Sequence, residues 1–589
     1  MPRRFPPRAT ASILAAFACT ACGLTPASPD ASEGGAWPEG GGPEGDWHAV
    51  GPAAPVDWSV TRDQNVRWTA PLPEGGQGGV AVQGDRLFVT SLVPWDPGDG
   101  ARPAPRTTSD VVGYCLDRAS GRVLWTVTVP GTIQAPYAYA YSDPSSPTPV
   151  VSEDRVWFFN AAGGIVCCDR SGTVLWRRSW RPWAVEDGFP FNKQFEPFRV
   201  GRWLVNLEPR TPWDPSDGAA RPDDFGWNVL RGLDAETGDV GWSAEDGTTS
   251  YCTPVRGVAY DGRPAVLHGR GGWHGVPEEP VGLSLTSLAP GEEGSTIWRF
   301  VAPWDRDGVS LAEPGSLHAP TWQALYTLHW DEARAYWFAH DPVESHLVLD
   351  ARSGEMLAQQ SLVAPVDWRR YDPVLGSWAL LADVDLRAEV DPAPRMGFDA
   401  ERDVLVVHPA WHANVVAGGY HWFLASTAHG RNARPNASRP ERRGVAGPSH
   451  CVGRVHVETG RVEYLELPVD VLRAPGEPDA YVWGLARTTS TLNSRGVDPA
   501  AEDRSRTDGW QIPAFWPSPT VVNGNVLFTT TLGLTYVFDA DAPVLDEGAL
   551  LAINDLGPSG ETWSMAPITY AGGELFARTM RGVVCLALD

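Results

Sequence analysis

The chain has 589 residues, 42 % of them hydrophobic, which is enough to bury a large core. A formal charge of −25 and a pI near 4.9 exclude a nucleic-acid partner by simple repulsion. No run reaches the about 20 apolar residues of a spanning helix, so membrane attachment is expected only through a lipid anchor.

Arg3, Arg4 and Arg8 make a basic start, and Ala9 to Ala18 a short apolar run. Cys19-Thr20-Ala21-Cys22-Gly23 follows as a small-residue cleavage site. Residues 1–22 are therefore predicted as a lipoprotein signal with Cys22 acylated, placing the protein in the periplasm or at the outer membrane. Cleavage before Cys19, or by the ordinary secretory peptidase, is the alternative. Residues 23–56 are rich in Gly, Pro, Ala, Ser and Glu and predict a flexible linker. Residues 57–589 are the predicted folded domain.

The domain repeats one pattern, best seen in Tyr114 to Trp125: a short strand, a turn opened by Asp117 and closed by Gly121, and a strand ending on Trp125. Asp169 to Trp176 and Asp234 to Trp242 repeat it. Weaker copies end at Trp298, Ala358, Tyr464 and Trp563, and Trp68 marks a lone strand ahead of the series. Each copy follows a hairpin with a short Gly- or Asx-rich turn, such as Gly84-Asp85, Asn523-Gly524 or Gly572-Gly573. Blade 6 is expected to begin with a hairpin over Met396–Val407. Eight hairpins and eight markers predict an all-β, eight-bladed propeller of four-stranded blades. The last hairpin lacks a fourth strand, and the strand at Trp68 is expected to supply it, closing the ring.

The markers are spaced more widely than the roughly 40 to 50 residues of a minimal blade, so the excess is loop. Long segments fall between second and third strands (Val93–Asp110, Glu208–Trp227, Pro409–His450) or between blades (such as Val366–Pro394 and Val469–Pro517). Both loop types leave a propeller on one face. One plain and one elaborated face are expected, with function on the elaborated one.

The repeat resembles that of the quinoprotein-like (PQQ-binding-like) propellers, roughly Ala-x-Asp-x-x-Thr-Gly-x-x-x-Trp, carried best by Asp117–Trp125, Asp169–Trp176 and Asp234–Trp242. The resemblance spans about residues 58–589 and implies the fold. It implies two kinds of function. Some members are alcohol or sugar dehydrogenases holding pyrroloquinoline quinone (PQQ) and calcium. Others are cofactor-free binding propellers, including the lipoprotein of the outer-membrane β-barrel assembly machinery.

Cys115, Cys167 and Cys585 hold one position of the repeat, where a small residue packs. Cys167-Cys168 is similar to the adjacent-cysteine disulfide of some quinone dehydrogenases, but it falls inside a predicted strand, where packing is the expected role. His408, His412, His421 and His429 are read as an elaborated strand-and-loop segment without the helical spacing that helps a metal. Asp96 to Gly100 and Asp214 to Gly218 read as Asx turns rather than calcium loops. Pro94-Trp95-Asp96-Pro97 recurs as Pro212-Trp213-Asp214-Pro215, and Pro303-Trp304-Asp305 echoes it. Inherited loop structure is one account. The other is a set of ligand-binding residues, Trp95, Asp96, Trp213, Asp214, Trp304 and Asp305, suited to stacking on sugars.

The function expected is a cell-envelope binding or scaffold module, with an envelope protein or a glycan as partner on the long-loop face. No catalytic residue, metal or cofactor is assigned. The alternatives are a PQQ- and calcium-dependent alcohol or sugar dehydrogenase, as the resemblance implies, and a glycan-binding propeller.

Overall fold

The computed structural model describes residues 35–93, 110–133, 141–183, 195–250, 253–272, 282–301, 327–339, 344–386, 407–427, 450–483, 489–501 and 516–588. After β1 (His48–Ala49) and β2 (Val66–Pro71), blade 1 comprises β3 (Ala81–Gln83), β4 (Arg86–Leu92), β5 (Val111–Asp117) and β6 (Val123–Val129). Blade 2 is β7 (Val150–Val151), β8 (Arg155–Asn160), β9 (Gly164–Asp169) and β10 (Val174–Ser179). Blade 3 is β11 (Phe198–Val200), β12 (Trp203–Pro209), β13 (Asn228–Asp234) and β14 (Val240–Gly247). Blade 4 is β15 (Val255–Val258), β16 (Pro264–Gly269), β17 (Gly282–Ser287) and β18 (Thr296–Val301). Blade 5 is β19 (His329–Trp330), β20 (Arg334–Ala339), β21 (Ser345–Asp350) and β22 (Met356–Ser361), followed by a hairpin of β23 (Val366–Asp372) and β24 (Ser377–Val384). Blade 6 is β25 (Val407–Ala417), β26 (Tyr420–Thr427), β27 (His450–His456) and β28 (Val462–Glu466), and a small ribbon of β29 (Asp470–Leu472) and β30 (Ala480–Val482) follows it. Blade 7 is β31 (Thr520–Val522), β32 (Asn525–Thr529), β33 (Leu534–Asp539) and β34 (Leu550–Asp555). Blade 8 is β35 (Thr569–Ala571), β36 (Glu574–Thr579) and β37 (Gly582–Leu586), with β2 antiparallel to β37 as its fourth strand. The ring thus has eight four-stranded blades and closes where the orphan strand was expected to close it.

The repeat holds neighbouring blades together. Gly121 N–H donates to the Asp117 carbonyl at 2.8 Å, and Gly121 takes a φ of 67°, which glycine tolerates without strain. The strand after the turn carries one extra residue, a bulge that aims Trp125 at the next blade. There its Nε1 donates to the Arg170 carbonyl at 3.1 Å, while its ring lies on Gly172 of the next turn. Trp176 bonds the Ala235 carbonyl and covers Gly238 in the same way, and Trp298 bonds Ala351 and covers Gly354. Opposite two of these indoles, and opposite the closing Trp68, stands a cysteine: Cys115 faces Trp125, Cys167 faces Trp176 and Cys585 faces Trp68. In blade 3 the position is Gly232, where a Cβ would lie 1.9 Å from Trp242. Small residues there make room for the indole.

Three expectations are corrected. Trp563 is not the marker of blade 7, because it lies beyond β34. The Asp-to-Gly turn of that blade is replaced by the longer 540–549 loop, whose ends meet through Asp539 N–H and the Ala549 carbonyl, and Ala552 takes the marker's place. The first hairpin of blade 6 is β25–β26, turned by Gly418-Gly419 at φ of 58° and 79°. The first part of the segment expected as a Pro409–His450 loop is therefore strand up to Thr427; its His, Asn and Pro content hid the pairing. The 366–384 stretch, expected as loop, is the β23–β24 hairpin, which extends blade 6 outward by parallel pairing of β23 with β28.

The linker expectation changes most. Residues 35–54 are built into the ring, with Trp37 and Trp47 buried. The segment contacts the innermost strands or their turns around the whole ring. Trp37 exchanges backbone hydrogen bonds with Val82 of blade 1, and the Pro38 carbonyl accepts from Val151 of blade 2. Glu39 accepts from Arg199 N–H of blade 3 and from Arg256 Nε of blade 4. Trp47 meets His329 of blade 5 edge to face, and His48 Nε2 lies 3.0 Å from the Val416 carbonyl of blade 6. β1 pairs in parallel with β31 of blade 7, and the Pro52 carbonyl accepts from Tyr570 Oη of blade 8. This clasp covers the plain-face mouth of the central channel.

Candidate functional site

Each inner strand enters the channel from the elaborated face, and several do so through a residue followed by proline: Thr148-Pro149, Glu196-Pro197, Thr253-Pro254 and Ser518-Pro519. Proline sets φ and removes a donor that an innermost edge could not pair. The residues before it form a polar ring at the axis, joined by Thr327 and His412. Gly79 N–H donates to Thr148 Oγ1 at 3.0 Å, and Thr148 N–H to Glu196 Oε2 at 2.9 Å. Thr327 Oγ1 lies 3.2 Å from His412 Nδ1 and 3.4 Å from Ser518 Oγ. These contacts run from blade to blade.

Glu196 is the carboxyl group of this ring. Burial raises its pKa to about 7, outweighing the Thr148 hydrogen bonds, and the nearby Glu39 adds to the shift. Burial also raises Glu39, against the pull of Arg256 at 2.8 Å. The clasp packs directly on the ring: a Cβ at Gly40 would stand 2.5 Å from the Glu196 carboxyl carbon. Glu39, Trp47, Glu196, Thr253 and Arg256 border a cavity of about 10 Å³, room for a single water. A carboxyl poised near neutrality can exchange a proton with a water held there.

A second polar cluster joins blades 8 and 1. Arg578 is 1 % exposed; burial lowers its pKa to about 10 despite the charge of Asp143, and its Nη2 donates to the Thr90 carbonyl at 3.3 Å. Nearby, Asn493 Nδ2 donates to Glu74 Oε2 at 3.1 Å.

Among the predicted ligand-binding residues, Trp213 and Asp214 fall within the described residues, whereas Trp95, Asp96, Trp304 and Asp305 lie outside them. Trp213 is half-buried against Trp183 and Phe225, and its Nε1 donates to the Ala219 carbonyl at 3.1 Å. Asp214 accepts from Ser216 N–H and Oγ in an Asx turn, with Arg181 at 3.7 Å. Cys22 and His429 also lie outside the described residues. His412 and His421 stand on β25 and β26 rather than in a loop. His421 Nδ1 is 2.9 Å from His346 Nε2, and its Nε2 is 3.0 Å from Asn414 Oδ1. Burial lowers His346 to about 3 and His329 to about 4, and it puts His421 well below its ordinary range. Among the described residues no three His, Cys, Asp or Glu side chains gather as metal ligands.

The adjacent cysteines do not fit a quinone platform. Successive residues of β9 point to opposite faces, so Cys167 packs with Trp157, Leu204 and Leu233 between blades 2 and 3. Cys168 packs with Phe88, Val111 and Phe158 between blades 1 and 2. Both are free thiols raised by burial, to about 12 and about 11.

The composition of residues 23–56 concealed the clasp. Two tryptophans in a glycine-rich stretch were the available signal, since a solvated linker has no use for them. The recurrent residue-Pro pair was the signal for the ring.

The family model described as outer membrane protein assembly factor BamB matches residues 59–184 and 108–277. No curated protein matches the sequence. A europium-containing methanol dehydrogenase is 12 % identical with a TM-score of 0.47, the alignment covering 92 % of this chain and 89 % of that one. The quinohemoprotein alcohol dehydrogenase from Comamonas testosteroni is 12 % identical with a TM-score of 0.47, covering 95 % and 81 %. BamB from Moraxella catarrhalis is 10 % identical with a TM-score of 0.39, covering 90 % and 98 %. The chain is an eight-bladed β-propeller, and its residues 59–184 and 108–277 match the BamB family model.

Proposed function

We propose that the chain is an exported, lipid-anchored propeller of the cell envelope that binds a protein partner on its elaborated face. The observation that carries this reading is the clasp. It seals the plain mouth through contacts with every blade. Surface that varies from blade to blade is then left on the opposite side, where long loops suit recognition. The match to an outer-membrane assembly factor model supports an envelope role. The dehydrogenase alternative loses its adjacent-cysteine platform, because the two thiols serve different cores.

The test is site-specific photocrosslinking in cells from exposed loop positions such as Asp217 and Arg221, beside labelling of Cys22 with a fatty-acid analogue. Discrete adducts with envelope proteins and loss of label in Cys22→Ser are expected. Oxidation of alcohols or aldoses that depends on added PQQ and calcium would overturn the reading.

A second reading is glycan binding at the Trp-Asp loops. Trp213 favours it, being a half-buried indole on an aromatic base of Trp183 and Phe225. Loss of glycan retention in Trp213→Ala, with an unchanged melting temperature, would support it.

A further inference from the structure

The β23–β24 hairpin is not needed to complete a blade, and it leaves β24 as the outermost strand of blade 6. β23 runs parallel to β28, so the hairpin points toward the elaborated face. Tyr371 N–H donates to the carboxylate of Glu466, the last residue of β28, so the tip beyond Asp372 stands clear of the blade. That tip is apolar: Val374 is 91 % and Leu375 72 % exposed.

The edge itself is open. Ser377–Leu381 contains no charge and no proline, and its backbone bonds only to β23. Leu380 is 51 % exposed. Beyond Leu381 a bulge ends the regular edge, with Asp383 at a φ of 54°. Four other outer strands carry charges that discourage pairing: Arg177 and Arg178 on β10, Glu245 and Asp246 on β14, Arg299 on β18 and Arg67 on β2. β6 and β22 are uncharged like β24, but only β24 lies outside a completed four-stranded blade and beside an exposed apolar tip. An uncharged, unpaired edge beside exposed leucines is a template for one more strand.

We propose that Ser377–Leu381 of β24 receives an extended strand from a partner protein, antiparallel, apolar at alternate positions and basic at its N-terminal end. The inference rests on the binding reading above and names the surface and partner chemistry. The backbone edge selects an extended strand, because it offers unpaired N–H and C=O groups rather than a groove. Leu380 and the apolar tip select alternating apolar side chains. The exposed Asp383 at the far end of β24 selects positive charge where an antiparallel strand would begin. A second copy is disfavoured, since each chain carries a net charge of −25.

The test is fluorescence anisotropy of the purified full chain with a labelled probe, Arg-Arg-Thr-Val-Thr-Val-Thr. Saturable binding is expected, weakened about tenfold or more by Leu380→Glu, by Ala379→Lys, by N-methylation of alternate probe amides, and by replacing both probe arginines with glutamate. Both substituted side chains face solvent, so the fold persists, and an unchanged melting temperature checks this. Absence of saturable binding, or equal binding of the N-methylated probe, overturns the proposal. So does a concentration-dependent dimer that Leu380→Glu abolishes. If the probe fails while loop crosslinks to envelope proteins persist, the binding function stands and this surface is wrong.

Discussion

The indole of Trp68 donates its Nε1 hydrogen to the backbone carbonyl of Arg118, 3.0 Å away, and this bond joins the end of the ring to its beginning. Trp68 belongs to blade 8 by pairing but docks on the turn of blade 1, where Gly121 receives its ring. Glu574 reinforces the seam, bonding both Arg67 and Arg118. Trp68→Ala is expected to cost about 2–4 kcal/mol by removing a part-buried ring and its hydrogen bond, read by urea unfolding.

The glycine beneath that indole gives an independent check. Gly121→Ala puts a side chain at a φ of 67° with its Cβ 2.6 Å from Trp68. A loss of about 2 kcal/mol or more is expected. Gly84→Ala shares the positive φ but meets no atom closer than 3.9 Å, so its loss should stay near about 1 kcal/mol. Equal losses would show that the indole seat contributes nothing.

The clasp should behave as part of the fold. Truncation through Ala54 is expected to lower the melting temperature, the opposite of what removing a flexible linker does. Trp37→Ala, at a fully buried site, should weaken docking by about 3–5 kcal/mol. Hydrogen exchange at Val82 and Val151, whose N–H groups bond Trp37 and Pro38, would then quicken ahead of the blade cores.

Acid and base should loosen the molecule at different places. Glu196 is raised by burial to about 7, so its stabilisation is complete below the unfolded carboxyl pKa of about 4.3 and is lost as pH rises through 7. Exchange of the clasp amides is expected to quicken between pH 5 and 8 in the wild type and much less in Glu196→Gln. The buried histidines act in the reverse sense. His346 is lowered to about 3 and His329 to about 4, so their neutral forms stabilise the fold above about pH 6.5 and that stability fades as pH falls toward those values. A melting temperature that drops from pH 6.5 to 4.5, less steeply in His346→Gln, is the expected result.

Cys167 and Cys168 are expected to resist alkylation in the folded protein and to react only after unfolding, because the thiolate forms poorly when buried. A disulfide detected between them by mass would contradict their placement in separate cores.

The sequence by itself determined the ring. Asp, Gly and Trp recur at Asp117–Trp125 and its copies because turn geometry, positive φ and an aromatic seat are local demands, and local demands leave a period in the chain. Closure by the strand at Trp68 was legible for the same reason, as a missing fourth strand must come from elsewhere. Where a blade broke the period, legibility failed: the 540–549 loop displaced the marker to Ala552, and histidine and asparagine in β25 masked a buried strand. Only the tertiary structure decided what lies at the axis. The clasp residues from Trp37 to Pro52 carry no periodicity, and their partners sit on eight blades far apart in sequence. Glu196 looks like any carboxylate until the ring removes its water. Burial and partner choice are properties of the closed assembly, so no segment of the chain encodes them alone.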